Sequence, residues 1–231
     1  MTVISDKRVI SDKKANSEMA PSFDRWEHPD HGVLFVVTGA SGSGKTTLVQ
    51  AAFESVPGLE FSVSATTRSP RDGETDGKDY HFVSPEAFSD ARDNGRLLEW
   101  AQVYGNSYGT PRGPVEESLA GGRSILLDID LQGARQVREA YPDVVTIFVL
   151  PPDLDTLETR LRSRSTDSDD VIARRMDEAM LQIGHCGEFR YLVVNDDLPL
   201  AQRVFESVLL AELVRTERRP GLVGRMTSIG R

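Results

Sequence analysis

Cysteine is almost missing from this chain: Cys186 stands alone among 231 residues. An internal disulfide is therefore excluded, which suits a reducing cytoplasm. Cys186 reads as a small buried hydrophobe rather than a nucleophile. Long apolar runs are missing too. None approaches the roughly 20 residues of a membrane span, and the first residues hold no apolar stretch of the kind found in a secretory signal. Positive charge is in deficit, with 27 Lys and Arg against 36 Asp and Glu, a net charge of −9. That argues against a partner such as nucleic acid, held by covering its phosphate backbone. Of the four histidines, none sits in a setting that demands a catalytic or ligand role. Hydrophobic content of 39% and charged content of 27% are ordinary, and the length suits one α/β domain able to bury a sizeable core.

What the chain does have is Gly39-Ala40-Ser41-Gly42-Ser43-Gly44-Lys45-Thr46. This is the G-x-x-x-x-G-K-[ST] phosphate-binding loop. Val33 to Val37, apolar and rich in valine, reads as a buried strand before it. Leu48, Val49, Ala52 and Phe53 have helical spacing after it. Strand, glycine loop and helix form the context in which the motif has meaning. The glycines let backbone N–H groups curl toward phosphate oxygens, and the helix N-terminus adds partial positive charge. Lys45 supplies a cation for the β- and γ-phosphates, and the Thr46 hydroxyl is a ligand for Mg²⁺. Residues Gly39 through Thr46, with Thr47, are the expected ATP contacts.

Strands are expected at 33–38, 124–128, 144–149 and 191–195. Helices are expected at 45–55, 114–120, 131–140, 153–163, 169–186 and 198–215. Such alternation means a parallel sheet covered by helices. Residues 1–31, polar and without periodicity, read as a mostly disordered extension, pinned if anywhere near Trp26, and 219–231 as a flexible tail. Residues 59–112 break the alternation and read as short strands and turns inserted into the frame. Within them Arg68 and Arg71, stiffened by Thr66-Thr67 and Pro70, form a pair of guanidinium forks suited to a terminal phosphate. Tyr80 and Tyr108 add hydroxyl donors. Glu99 lies in the apolar run Leu97-Leu98-Glu99-Trp100, where an unpaired charge would be costly. One carboxylate can accept from both N1–H and the N2 amino group of guanine. Adenine would leave it unpaired. Hydroxyls at Ser64 and Thr110 can donate to O6.

The stretch from Thr66 to Phe82 closely resembles the T-T-R-x-P-R-x-G-E-x-x-G-x-D-Y-x-F signature of guanylate kinases. Gly105-Asn106-Ser107-Tyr108-Gly109, Leu127-Asp128-Ile129-Asp130-Leu131-Gln132-Gly133 and Asn195-Asp196-Asp197 resemble further motifs of that family, in order, over about residues 33–215. The resemblance implies an α/β fold of the P-loop nucleoside monophosphate kinase kind. It would have a core of 32–58, 113–152 and 176–218, a β-rich GMP-binding insert at 59–112 and a helical lid at about 153–175. It also implies that Ser64, Glu99 and Thr110 contact guanine, and that Arg68, Arg71, Tyr80 and Tyr108 hold the GMP phosphate. Asp130 would help with guanine and Asp128 would serve the Mg²⁺ or nucleotide region. Arg160, Arg164 and Arg175 would belong to a mobile lid that closes over the triphosphate and, with Lys45 and Arg68, would carry the catalysis. The family usually has glycine where this chain has Ser165. A plainer reading of the lid arginines is a charged helix face pairing with Glu158, Asp167 or Asp169.

The implied reaction is ATP + GMP ⇌ ADP + GDP, with dGMP as a second acceptor and Mg²⁺ arriving with ATP. Two other readings stand beside it. A catalytically silent guanylate-kinase-like binding module would typically lack an intact phosphate loop. A related P-loop kinase acting on another phosphorylated molecule, such as a ribose bisphosphate, would not need the set Ser64, Glu99, Tyr108 and Thr110. Oligomeric state, monomer or homo-oligomer, is not legible in the sequence.

Overall fold

The computed structural model describes residues 27–103, 105–163 and 168–228. The expectations for 1–26, with Trp26, and for Arg164, Ser165 and Asp167 lie outside them. Strand β1 (Leu34–Gly39) is buried at every position. Phe35 and Val37 enter one core while Leu34 and Val36 enter another. Burial on both faces is what makes a continuous apolar run fit a central parallel strand. It pairs in parallel with β7 (Ser124–Asp128) and with β8 (Val145–Leu150). Strands β2 (Leu59–Phe61) and β9 (Tyr191–Val194) complete a parallel sheet of order β2-β7-β1-β8-β9. Helices α1 (Lys45–Ser55) and α7 (Leu198–Leu213) cover the Phe35 face through Leu48, Ala52, Phe205 and Leu209. Helices α3 (Arg112–Ala120) and α4 (Leu131–Ala140) cover the Val36 face through Val115, Leu119, Ala134 and Val137. Phe205 is wholly buried, and truncating it to alanine would cost about 3–5 kcal/mol.

A third cluster joins helices α5 (Leu154–Ser163) and α6 (Asp169–Ile183) to the loop after β1. Leu157, Leu161, Ile172 and Ala179 pack with Ala40. The fourth lies in the insert, whose own sheet runs β4 (His81–Phe82), β3 (Ala65–Thr66), β6 (Asn106–Pro111), β5 (Leu97–Val103). Helix α2 (Pro85–Asp93) backs it, with Phe88 against Ala65 and Leu97. No helix of the described residues is long and apolar enough to cross a membrane.

The structure differs from the sequence reading in several places. Leu59–Phe61, placed by sequence at the start of the insert, pairs with Ser124–Leu126 and so belongs to the main sheet. The insert holds a helix as well as strands. Its start is set by Ser84, whose hydroxyl accepts the Ala87 N–H at 3.2 Å, and by Pro85 in the first turn. The helix expected to run to residue 186 ends at Ile183, before Gly184. Cys186 is half-buried. The two expected tails meet where they are described. Asp30 N–H donates to the Arg218 carbonyl, Arg219 donates to the Glu27 carbonyl at 2.9 Å, and Pro220–Ser228 forms helix α8. These are non-local contacts to main-chain groups that no periodicity announces.

Candidate active site

The donor half sits at the carboxyl end of β1, where open α/β sheets place their ligands. Gly42 and Gly44 take positive φ, +89° and +84°, a region that glycine alone enters without strain. At Gly44 a side chain is excluded twice over, since a Cβ would lie 2.1 Å from Asn195 Nδ2. Helix α1 begins with no side-chain cap, whereas Ser84, Asp130 and Asp197 cap α2, α4 and α7. The Thr47 N–H turns back to the Gly44 carbonyl at 3.2 Å, and the N–H groups of α1 before it are left to an anion. Thr46 is half-buried and Thr47 exposed on its first turn. Lys45 is 8% exposed and forms an ion pair with Asp128, at the end of β7. Burial lowers the Lys45 ammonium to about 7, against the opposing pull of the Asp130 carboxylate.

Asn195, just after β9, organises this end of the sheet. Its Nδ2 donates to the Ser43 carbonyl at 2.8 Å, and its own carbonyl accepts from Arg160 Nη2 at 3.0 Å. Arg175 Nη2 donates to Ser41 Oγ at 3.0 Å. Two arginines of the expected lid thus already touch the phosphate loop or its brace. Arg160 Nη1 and Ser43 Oγ are buried without a hydrogen-bond partner among the described residues, the state of groups that await a polar ligand. The acids Glu158 and Asp169 pair instead with Arg162.

The acceptor half lies in the insert. Arg68 pairs with Glu74 at 2.9 Å and stacks over the rings of Tyr80 and Phe82, 5.5 and 5.8 Å from their centroids. The Arg71 backbone N–H donates to the other Glu74 oxygen at 2.7 Å. Glu74 therefore fixes both arginines while the Arg71 side chain stays exposed. The hydrogen bond from Arg68 holds the Glu74 carboxyl below its usual range and raises Arg68 in return. Burial pushes the Tyr80 phenol up to about 12, keeping it a hydrogen-bond donor. The rings of Tyr80 and Tyr108 meet edge to face at 6.0 Å. Ser64 stands before β3 and accepts the His81 N–H on its carbonyl at 2.9 Å.

Glu99 is 6% exposed on β5, and Thr110, opposite it on β6, donates its hydroxyl to Glu99 Oε1 at 2.6 Å. The other oxygen, Oε2, lies 2.8 Å from where a Cβ of Gly133 would be. Gly133 belongs to the first turn of α4, and its N–H donates to Asp130 Oδ1 at 2.8 Å. Asp130 is thus the α4 cap and Asp128 the partner of Lys45. The short stretch 128–133 thus runs from the donor half to the acceptor carboxylate: Asp128 pairs with Lys45, Asp130 caps α4 at Gly133, and Gly133 leaves room for the Glu99 carboxylate. Asn195 and Glu74 went unassigned in the sequence, although both fall inside the motifs quoted above. Gly133 does too, as the glycine closing the Asp128–Gly133 motif.

Among the described residues no three His, Cys, Asp or Glu side chains gather as a metal cage. Thr46, on the first turn of α1, and Asp128, paired with Lys45, carry oxygens of the kind that would suit Mg²⁺ carried in on phosphates with few protein ligands.

A family profile described as Guanylate kinase matches residues 32–212. The chain belongs to the guanylate kinase family. A guanylate kinase of Rhodopseudomonas palustris (strain BisB18) is 50% identical over 192 residues, 83% of this chain and 88% of the relative. One from Sphingopyxis alaskensis is 50% identical over 194 residues, 84% and 88%. The crystal structure of guanylate kinase from Anaplasma phagocytophilum superposes with a TM-score of 0.67 at 35% identity, covering 87% of this chain and 97% of that one. The guanylate kinase match spans both halves of the site and leaves out 27–31 and 216–228, which contact each other.

Proposed function

We propose that this guanylate kinase family member transfers the γ-phosphate of ATP to GMP, or to dGMP, in purine nucleotide metabolism in the cytoplasm. The observation that carries the reading is the stretch 128–133, whose Asp128 pairs with Lys45 and whose Gly133 leaves room for the Glu99 carboxylate. It ties a triphosphate-binding loop to a buried carboxylate of the kind guanine needs. In this reading Gly39 to Thr47 cradle the triphosphate. Arg68, Arg71, Tyr80 and Tyr108 hold the acceptor phosphate, and Ser64, Glu99 and Thr110 read the base. Thr46 and Asp128 hold Mg²⁺, which neutralises phosphate charge when bound.

A GMP phosphate oxygen attacks the γ-phosphorus in line. With a second pKa of about 6, that phosphate is already largely dianionic near neutral pH, so no side chain has to remove a proton. The protein's task is positioning and charge neutralisation. Lys45 meets the triphosphate, and Arg160, Arg164 and Arg175 close over it, which also excludes water. Coupled ADP release across GMP, dGMP, AMP, CMP and UMP tests the assignment. Turnover confined to the two guanine nucleotides is expected. Silence with both would favour a binding module, and preference for another acceptor would overturn the base assignment.

A further inference from the structure

Gln136 has no part in the site as described, yet it makes a contact of unusual form. Strand β5 is an edge of the insert sheet. The main-chain groups of Trp100, the residue after Glu99, point away from the sheet toward α4. Both are taken by one side chain: Trp100 N–H donates to Gln136 Oε1 at 3.0 Å, and Gln136 Nε2 donates to the Trp100 carbonyl at 2.9 Å. A primary amide is the side-chain group that offers an acceptor and a donor side by side, as a neighbouring strand would. Gly133 and Gln136 are three residues apart, so they share a face of α4. That face meets β5 at two successive points, the Glu99 carboxylate against Gly133 and the Trp100 backbone against Gln136. The adjoining side of α4 is fixed by Ala134 and Val137, in the core that also holds Leu98 of β5 and Leu127 of β7, next to Asp128.

We infer that Gln136 is a positioning residue for the acceptor base: its amide docks β5 onto α4 and so sets where the Glu99 carboxylate stands relative to the donor half. The inference rests on the guanine reading of Glu99. Without the amide, β5 stays packed on α4 through Leu98 against Ala134 and Val137, but nothing fixes its register at Trp100, and the edge groups of Trp100 turn to water. The carboxylate then moves with the strand. The loss falls on the acceptor and on base choice, not on ATP.

The test uses the full chain and two variants, Gln136→Met and Gln136→Glu, with GMP binding by calorimetry and steady-state kinetics on GMP, AMP and ATP. Two lost hydrogen bonds predict a rise of about tenfold or more in the Kd and KM for GMP in Gln136→Met. The preference for GMP over AMP should fall by a similar factor, and the KM for ATP should stay within about twofold. Gln136→Glu keeps the acceptor for the Trp100 N–H but sets a carboxylate oxygen against the Trp100 carbonyl, so it should show a rise of the same pattern and at least the same size. It alone decides if circular dichroism shows Gln136→Met unfolded. Unchanged GMP affinity and base preference in a folded variant would overturn the inference. So would an equal loss for ATP and GMP, the mark of general damage. Wild-type protein that binds GMP but transfers no phosphate would sink the kinase reading alone, with the calorimetric comparison still deciding on Gln136. Wild-type protein that does not bind GMP would sink both.

Discussion

Replacing Glu99 with Gln removes one charge and swaps one acceptor oxygen for a donor, with almost no change in shape. In the resting site Thr110 donates to Oε1 and Oε2 lies against Gly133, so the side chain is held on both sides and has little room to turn away. Guanine offers two adjacent donors to the carboxylate. The amide can accept one and must set its NH₂ against the other. A hydrogen bond to a charged group contributes about 1.5–3 kcal/mol, and an unsatisfied buried donor costs a similar amount. The net loss for GMP is therefore about 2–4 kcal/mol, or roughly 30- to 1,000-fold in kcat/KM. AMP, with an acceptor at N1, can meet the new donor and loses nothing. The assay is coupled ADP release with GMP and AMP as competing acceptors. The ratio of their kcat/KM values should fall by about 30-fold or more. A ratio that moves by less than about threefold would refute the role of Glu99 and the contact argument that leads to it.

Three other outcomes test the donor half and the acceptor phosphate. Lys45 titrates near 7 in the free site, and the added negative charge of a triphosphate favours its charged form. Above pH 7 ATP binding should therefore take up a proton, approaching one at pH 8 and vanishing toward pH 6. Calorimetry in buffers of different ionisation enthalpy measures it, and identical uptake by Lys45→Ala would contradict the assignment. Gly44→Ala forces a Cβ toward Asn195 at φ +84°. It should lower stability by about 1–3 kcal/mol and raise the KM for ATP, as melting curves and kinetics will show. Arg71→Ala should raise the KM for GMP at least tenfold while leaving that for ATP alone. The reverse pattern would redraw the acceptor site.

Local chemistry made the donor half readable. The loop from Gly39 to Thr46 carries its strand, its turn and its helix in one stretch, and α1 and α4 begin and end where the sequence places them. β1 and β8 differ from their expected ends by a residue because both faces are buried and the apolar run is long enough to see; β9, with Leu192 and Val194 exposed, is as close because its four residues are apolar or aromatic throughout. Leu59–Phe61 is only three residues long, too short to show a period, so its place in the main sheet was invisible. Helix α2 carried a readable signal in Ser84-Pro85-Glu86, lost among the polar turns around it. The brace from Asn195 to Ser43 spans 152 residues and that from Gln136 to Trp100 spans 36. No spacing rule links such pairs, although the motifs holding Asn195 and Glu74 were already in view.

The ion pair between Lys45 and Asp128 has a consequence for how the site fills. Both groups are nearly buried, with side chains 9% and 7% exposed, and below about pH 7, where Lys45 keeps its proton, neither charge is left uncompensated while the nucleotide is away. A triphosphate that engages Lys45 must draw it from Asp128, so binding is an exchange of one anion for another. The empty loop then has weak hold on a small anion such as free phosphate, whose charge competes poorly with a carboxylate already in place. The same exchange releases the Asp128 carboxylate at the moment a new negative charge arrives beside it. Donor arrival and the freeing of an oxygen ligand for a cation become one event.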